Sequence, residues 1–175
     1  MKKLLSILLV AVMLITSCEP VYKAANFQET ANQHRVIAVL PPKVIIEIKS
    51  AKEAEAIRNQ EKIESERFQN ALVSYLNEHH TKNTIFVNAQ NTEETNKILA
   101  DNNITSLAGR SYQDLAKLLG VDAVVSSRVS LAKPLTNGEA FFTSLLTGYA
   151  APSKITTIDL SLTDTKSGNM FWNYN

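Results

Sequence analysis

The chain has 175 residues, of which 45% are hydrophobic and 20% charged, with a formal net charge of +1. That length supports one domain with a substantial core, and the near balance of charge argues against a broad phosphate-binding surface, so no nucleic-acid partner is expected. A single cysteine excludes an internal disulfide and any metal site built on several thiolates.

Lys2 and Lys3 precede an apolar run from Leu4 to Leu14, and the small residues Thr16 and Ser17 then lead to Cys18. This is the layout of a secretory signal over residues 1–17. The apolar run is about a dozen residues, short of the roughly 20 that span a bilayer as a helix. The ending Ile15-Thr16-Ser17-Cys18 resembles the lipobox of bacterial lipoproteins. That resemblance implies that the Cys18 thiol carries a diacylglycerol, and that cleavage leaves Cys18 as the new N-terminus. Residues 18–175 hold 16 Lys and Arg against 17 Asp and Glu, so the remaining chain is close to neutral. With Cys18 bound to lipid, no thiol is left for a metal or a nucleophile. Glu19 to Arg35 is polar without a sustained period, which predicts a lipidated tether over residues 18–35 and a single domain over residues 36–175.

Val36-Ile37-Ala38-Val39-Leu40 is apolar on both faces and stops at Pro41-Pro42, the pattern of a buried strand. Val44-Ile45-Ile46-Glu47-Ile48 reads as a strand continuing past the proline kink. Ser50 with Glu53 three residues on forms a capping-box start for a helix running to about His79. Phe68, Ala71, Leu72, Tyr75 and Leu76 give its second half an i, i+3, i+4 face for a sheet. Lys52 to Arg67 is charged and sparsely apolar, with Ile57 and Ile63 the main exceptions. That half is expected to project into water, held by i,i+4 ion pairs, or to meet a partner. Thr84-Ile85-Phe86-Val87 predicts a short strand. Asn91 with Glu94 starts a helix to about Ala100, and Ser111 with Asp114 starts another, striped by Leu115, Leu118 and Leu119 and ended by Gly120. Asp122 to Val129 reads as a strand. Ile155 to Leu162 alternates with period two, and Met170-Phe171-Trp172 pairs back on it across Asp164–Asn169 as a β-hairpin. The expected fold class is α/β: a mixed sheet with two or three helices packed on it and a C-terminal β-hairpin.

Few residues suggest chemistry. His34 lies beside Arg35 in the expected tether. His79 and His80 are neighbours on a helix, point about 100° apart, and suit the negative end of the helix dipole better than a shared metal. No glycine-rich phosphate loop is present. Ser126-Ser127 has no histidine near it in sequence and no elbow motif. Asp122 is placed to turn or cap the backbone. No catalytic, metal-ligating or cofactor-binding residue is assigned, and no enzyme activity is expected. The segment from Glu139 to Pro152 is markedly apolar for a connection between strands. Its Phe141, Phe142, Leu145, Leu146 and Tyr149 recur at helical spacing, and either pack on the domain's own sheet or form an interface with a partner, a second copy or the bilayer surface.

Three segments together resemble a group of envelope lipoproteins that includes the curli-secretion channel lipoprotein, the lipoprotein activators of peptidoglycan synthases and the TolB amino-terminal domain. They are Val36 to Pro42, a strand ending in proline; Leu115 to Val125, a helix, glycine, Asp-Ala and strand junction; and Asp159 to Trp172, a closing hairpin. The resemblance implies an α/β fold and a non-catalytic role facing the periplasm, as an interaction or assembly module in a cell-envelope complex. It transfers no functional residue, because the shared positions are turn and core positions. Two departures stand out, the long charged half-helix at 52–67 and the ending of the chain after the last strand. Two further readings stay open: a subunit of an oligomeric outer-membrane secretion channel, and a periplasmic enzyme whose site only folding assembles. The thirteen residues 139–151 are too few for a pair of membrane-spanning strands of about 9–11 residues each. The expected partners are the membrane, through Cys18, and envelope proteins or further copies of the chain.

Overall fold

In the computed structural model, residues 21–47, 53–133 and 157–175 are described in full and residues 155–156 by their backbone. Seven strands form one mixed sheet: β1 (Val21–Lys23), β2 (Val36–Val39), β3 (Lys43–Ile46), β4 (Asn88–Ala89), β5 (Ala123–Leu131), β6 (Ile155–Asp164) and β7 (Met170–Tyr174). The helices among the described residues are α1 (Phe27–Gln33), α2 (Ala54–Thr81), α3 (Thr92–Asp101) and α4 (Tyr112–Leu119). The sheet order is β1-β7-β6-β5-β2-β4, with β3 also on β5. The expected mixed α/β layer and closing hairpin are present.

β5 is the centre of the sheet because it is apolar on both faces along its first half. β2 pairs parallel to it from Ile37↔Ala123 to Val39↔Val125. β3 then resumes the same parallel alignment from Lys43↔Arg128 to Ile46↔Leu131. The two behave as one strand interrupted by Pro41-Pro42, which have no N–H to give to the ladder. β6 runs antiparallel to β5 along its whole length, and β7 antiparallel to β6.

Alternation divides the sheet between two cores. On one face Ile37, Val39, Val125, Val129 and Leu131 pack with Phe68, Leu72 and Val73 of α2. On the other Ala38, Leu40 and Val124 pack with Leu99 of α3 and Leu115, Ala116 and Leu119 of α4. The two short helices are capped as their sequences require. Asn91 Oδ1 accepts from the Glu93 N–H and Ser111 Oγ from the Asp114 N–H, and Gly120 closes α4 with a left-handed φ of 69°. The Gly120 and Val121 N–H groups satisfy the last carbonyls of α4.

Three regions differ from the sequence-based expectation. Residues 21–33, expected within the tether, are folded onto the sheet. β1 pairs antiparallel with β7, Val21 opposite Tyr174 and Lys23 opposite Trp172, and Phe27 of α1 stacks on Phe171 at 5.9 Å. The signal was Phe27 and Ala31, one helical turn apart and both packed against the core.

The charged half of α2 docks instead of projecting. Ile57 and Glu64 are buried, Glu61 Oε1 accepts from the Ile46 N–H at 2.9 Å, and Ser65 Oγ donates to the Pro42 carbonyl at 2.7 Å. Polar residues suit this interface because β3 pairs only with β5, so the N–H groups on its other side and the Pro42 carbonyl at the break need partners. The Ser50 start lies outside the described residues, and α2 begins at Ala54 after Glu53.

The strand expected at Thr84–Val87 forms later, at Asn88–Ala89. The N–H groups of Lys82, Asn83 and Thr84 are still bonded to the last carbonyls of α2, so the chain reaches β2 only where the Asn88 N–H meets the Arg35 carbonyl. Phe86, 76% exposed, is left in the connection.

Candidate functional site

Cys18 and the apolar set Phe141, Phe142, Leu145, Leu146 and Tyr149 lie outside the described residues. β5 and β6, which flank the apolar connection, are paired as far as Leu131↔Ile155. Among the described residues no helix is long and apolar enough to cross a membrane, and no group of three or more His, Cys, Asp or Glu side chains is placed to hold a metal.

A histidine and two carboxylates come together where the N-terminal segment meets the closing hairpin. His34 follows α1 and is buried, and its Nε2 lies 2.7 Å from Asp164 Oδ1 at the end of β6. The ring stands edge-on to Phe171 at 5.1 Å. The second Asp164 oxygen accepts from both the N–H and the hydroxyl of Ser167, at 2.6 and 2.7 Å. Burial alone pushes the Asp164 carboxyl up, but the Ser167 and His34 hydrogen bonds outweigh it and hold it below the usual carboxylate range.

Asp122 makes a neighbouring contact. Its Oδ2 accepts from the backbone N–H groups of Arg35 and Val36, at 2.7 and 3.0 Å. Burial again pushes upward, and these two N–H donors bring its carboxyl below the ordinary range. Asp122 therefore caps backbone, as expected, although the backbone belongs to the start of β2. The Ser167 hydroxyl donates to a carboxylate that already holds the histidine, so it is not arranged as a nucleophile beside a base. These groups fasten the first residues of the domain to its last hairpin. His34 was missed because its partner is 130 residues away and no local spacing marks it.

At the C-terminal end of α2, His79 Nδ1 lies 2.7 Å from Thr84 Oγ1 and its ring is 4.3 Å from that of Tyr75. His79 and His80 both fall in the last turn, where a cation suits the helix dipole.

An open cleft of about 780 Å³ lies beside α3 and α4, between the 104–112 connection and the sheet. Leu40, Leu99, Ile104 and Leu107 give it an apolar wall, and Ser126, Arg128, Asp159 and Ser161 a polar floor. The floor is ordered by Asn173, whose Nδ2 donates to Asp159 Oδ1 and Ser161 Oγ, each at 2.9 Å. Such a mixed surface can receive polar chain or small polar molecules, and among the described residues that line it no hydroxyl is hydrogen-bonded to a histidine.

No protein-family model matches the chain, and no curated protein does. Among solved structures it is similar to lipoprotein GNA1162 from Neisseria meningitidis, at 14% identity and a TM-score of 0.44, over 79% of this chain and 75% of that one. It is also similar to the LpoB C-terminal domain from Salmonella enterica, at 14% identity and a TM-score of 0.40, over 80% of this chain and 78% of that one. The PelC dodecamer from Paraburkholderia phytofirmans aligns at 11% identity and a TM-score of 0.26, over 80% of this chain and 68% of that one. No functional residue is transferred from them.

Proposed function

We propose that this chain is a non-catalytic lipoprotein, held to an envelope membrane by acylated Cys18 and facing the periplasm, whose domain serves as an interaction or assembly module for envelope proteins or for copies of itself. The observation that carries this reading is the run from Lys2 to Cys18, a signal-like segment that ends in small residues and the chain's one cysteine. More than one acyl chain on that residue gives a firm anchor, where one chain alone gives marginal binding. The described residues, with carboxylates that cap backbone and a histidine locked to Asp164, support the non-catalytic part.

The apolar set Phe141, Phe142, Leu145, Leu146 and Tyr149 is the proposed contact with a partner. Tethering favours such a contact, since a membrane-held domain meets membrane-held partners at high effective concentration. Changing Cys18 to Ser is expected to release the protein in soluble form. Retention in the membrane fraction would make the apolar segment, rather than lipid, the main anchor. Phe142→Ser with Leu146→Ser is expected to leave folding intact and remove association, whereas unchanged association would end the interface proposal. In detergent the module is expected as a monomer or dimer, and a ring-sized assembly would establish the channel reading instead.

A further inference from the structure

The face of the sheet opposite α2 is covered by helices only in part. Val124 lies in the core beneath α3 and α4. By strand alternation the residues that follow it on that side of β5 are Ser126, Arg128 and Ser130. Such polar residues give an amphipathic helix no apolar surface to dock on. The 8 residues of α4 span about 12 Å, against about 30 Å for the 9 residues of β5. Beyond the helices, this face forms the floor of the open cleft of about 780 Å³.

The charges on that floor do not balance. Lys43 of β3 is opposite Arg128 in the parallel register, and both line the cleft. Like charges opposite each other on neighbouring strands repel. Asp159 of β6 is opposite Arg128 on its other side, yet its Oδ1 accepts from Asn173 Nδ2 at 2.9 Å. The ion pairs among the described residues are His34–Asp164, Arg67–Glu64, Lys82–Glu78 and Lys97–Asp101, so no acid among them holds Lys43 or Arg128. Arg110 supplies a third cation from the 104–112 connection. Its Nε donates to the Ser106 carbonyl at 3.1 Å, and its terminal N–H groups can serve another acceptor. All three cations are exposed, and Asp159 is the one carboxylate among the described residues that line the cleft.

The rest of the lining narrows the chemistry of what fits. Ile104 and Leu107, both half-buried, stand on the apolar wall, and the Ser126 and Ser161 hydroxyls on the floor can give and accept hydrogen bonds. An inorganic anion would use the cations alone. A chain segment with acidic and aliphatic side chains would use all three surfaces. Its carboxylate suits the two-pronged guanidinium of Arg128, its aliphatic groups the wall, and its backbone the hydroxyls.

We infer that this cleft binds an extended polypeptide segment of a partner protein, rich in acidic and aliphatic residues, with Arg128 holding a carboxylate and Lys43 and Arg110 alongside. The inference gives a partner chemistry to the interaction module proposed above and rests on that reading, but not on the lipid at Cys18.

The full chain in non-ionic detergent is titrated against a fluorescein-labelled heptapeptide of alternating leucine and aspartate, read by fluorescence anisotropy. This probe is expected to bind about fivefold more tightly than one with asparagine in place of aspartate, and more tightly than one with serine in place of leucine. Arg128→Gln and Lys43→Gln are each expected to remove most of the preference for aspartate while leaving the urea midpoint unchanged. Lys62→Gln, an exposed position on α2 across the sheet, is expected to retain it. Equal binding of the aspartate and asparagine probes, or an equal loss in Lys62→Gln, would overturn the proposal. So would a chain that binds no probe but associates with itself and loses that association in Arg128→Gln, which would give the cleft to a second copy. Crosslinking in native membranes separates the two readings. Association that survives Arg128→Gln and is lost in Phe142→Ser with Leu146→Ser would reject the cleft and keep the module. Probe binding as expected, by a chain that crosslinks to no protein, would support the cleft and reject the module.

Discussion

His34 and Asp164 join the two ends of the described chain through one short contact. Removing the Asp164 side chain by Asp164→Ala leaves His34 and Ser167 without their shared acceptor in a buried place, and is expected to cost about 3 kcal/mol in urea unfolding. The acid limb follows from the same carboxylates. The Asp164 and Asp122 carboxyls lie below their ordinary values in the folded protein. Their stabilisation is therefore complete above the unfolded pKa of about 4 and is lost as pH falls through the lower folded values. A stability profile between neutral and strongly acid pH is expected to fall below about pH 4, and Asp122→Asn is expected to flatten that fall. An unchanged acid limb in Asp122→Asn would remove its share. At this scale the sequence was informative where a residue acts on its own neighbourhood. Asn91, Ser111 and Gly120 were legible as caps, and Asp122 as a backbone-binding carboxylate. His34 was not, because its role comes from a contact formed only after the whole chain has folded.

Among the elements, α2 tests most sharply how far charge pattern can be trusted. Its second half was readable from Phe68, Leu72, Tyr75 and Leu76. Its first half looked solvated because charged residues dominate it, yet Ile57 is buried and Glu61 and Ser65 bond the backbone around the proline break. Periodicity reports apolar faces and is blind to a face built to satisfy strand backbone. Ile57→Ala is expected to destabilise the domain by about 2 kcal/mol in chemical denaturation, and a change near zero would mean that this half does not dock. Gly120 gives a second test. Its φ of 69° is unfavourable for a side chain although no atom stands within 4 Å of an added Cβ, so Gly120→Ala is expected to cost about 1 kcal/mol through conformation alone. β1 and α1 were hidden for another reason. Three exposed strand residues and a seven-residue helix have little periodicity to read, and their place depends on the free edge of β7.

For the whole molecule, a mixed α/β sheet with helices packed on it and a closing hairpin followed from apolar runs, proline stops and cap residues, whereas the order of the strands did not, because it is set by pairings between distant segments. The proposed role depends on Cys18 and the run before it, which lie outside the described residues, whereas the folding of residues 21–33 onto the sheet became visible only in the structure. The most direct measurement is the intact mass of the protein extracted from bacterial membranes, with fragmentation of its N-terminal peptide. A mature chain beginning at Cys18 and carrying diacylglycerol on its thiol is the predicted result. A chain that retains residues 1–17, or one cut elsewhere with Cys18 free, would contradict the account.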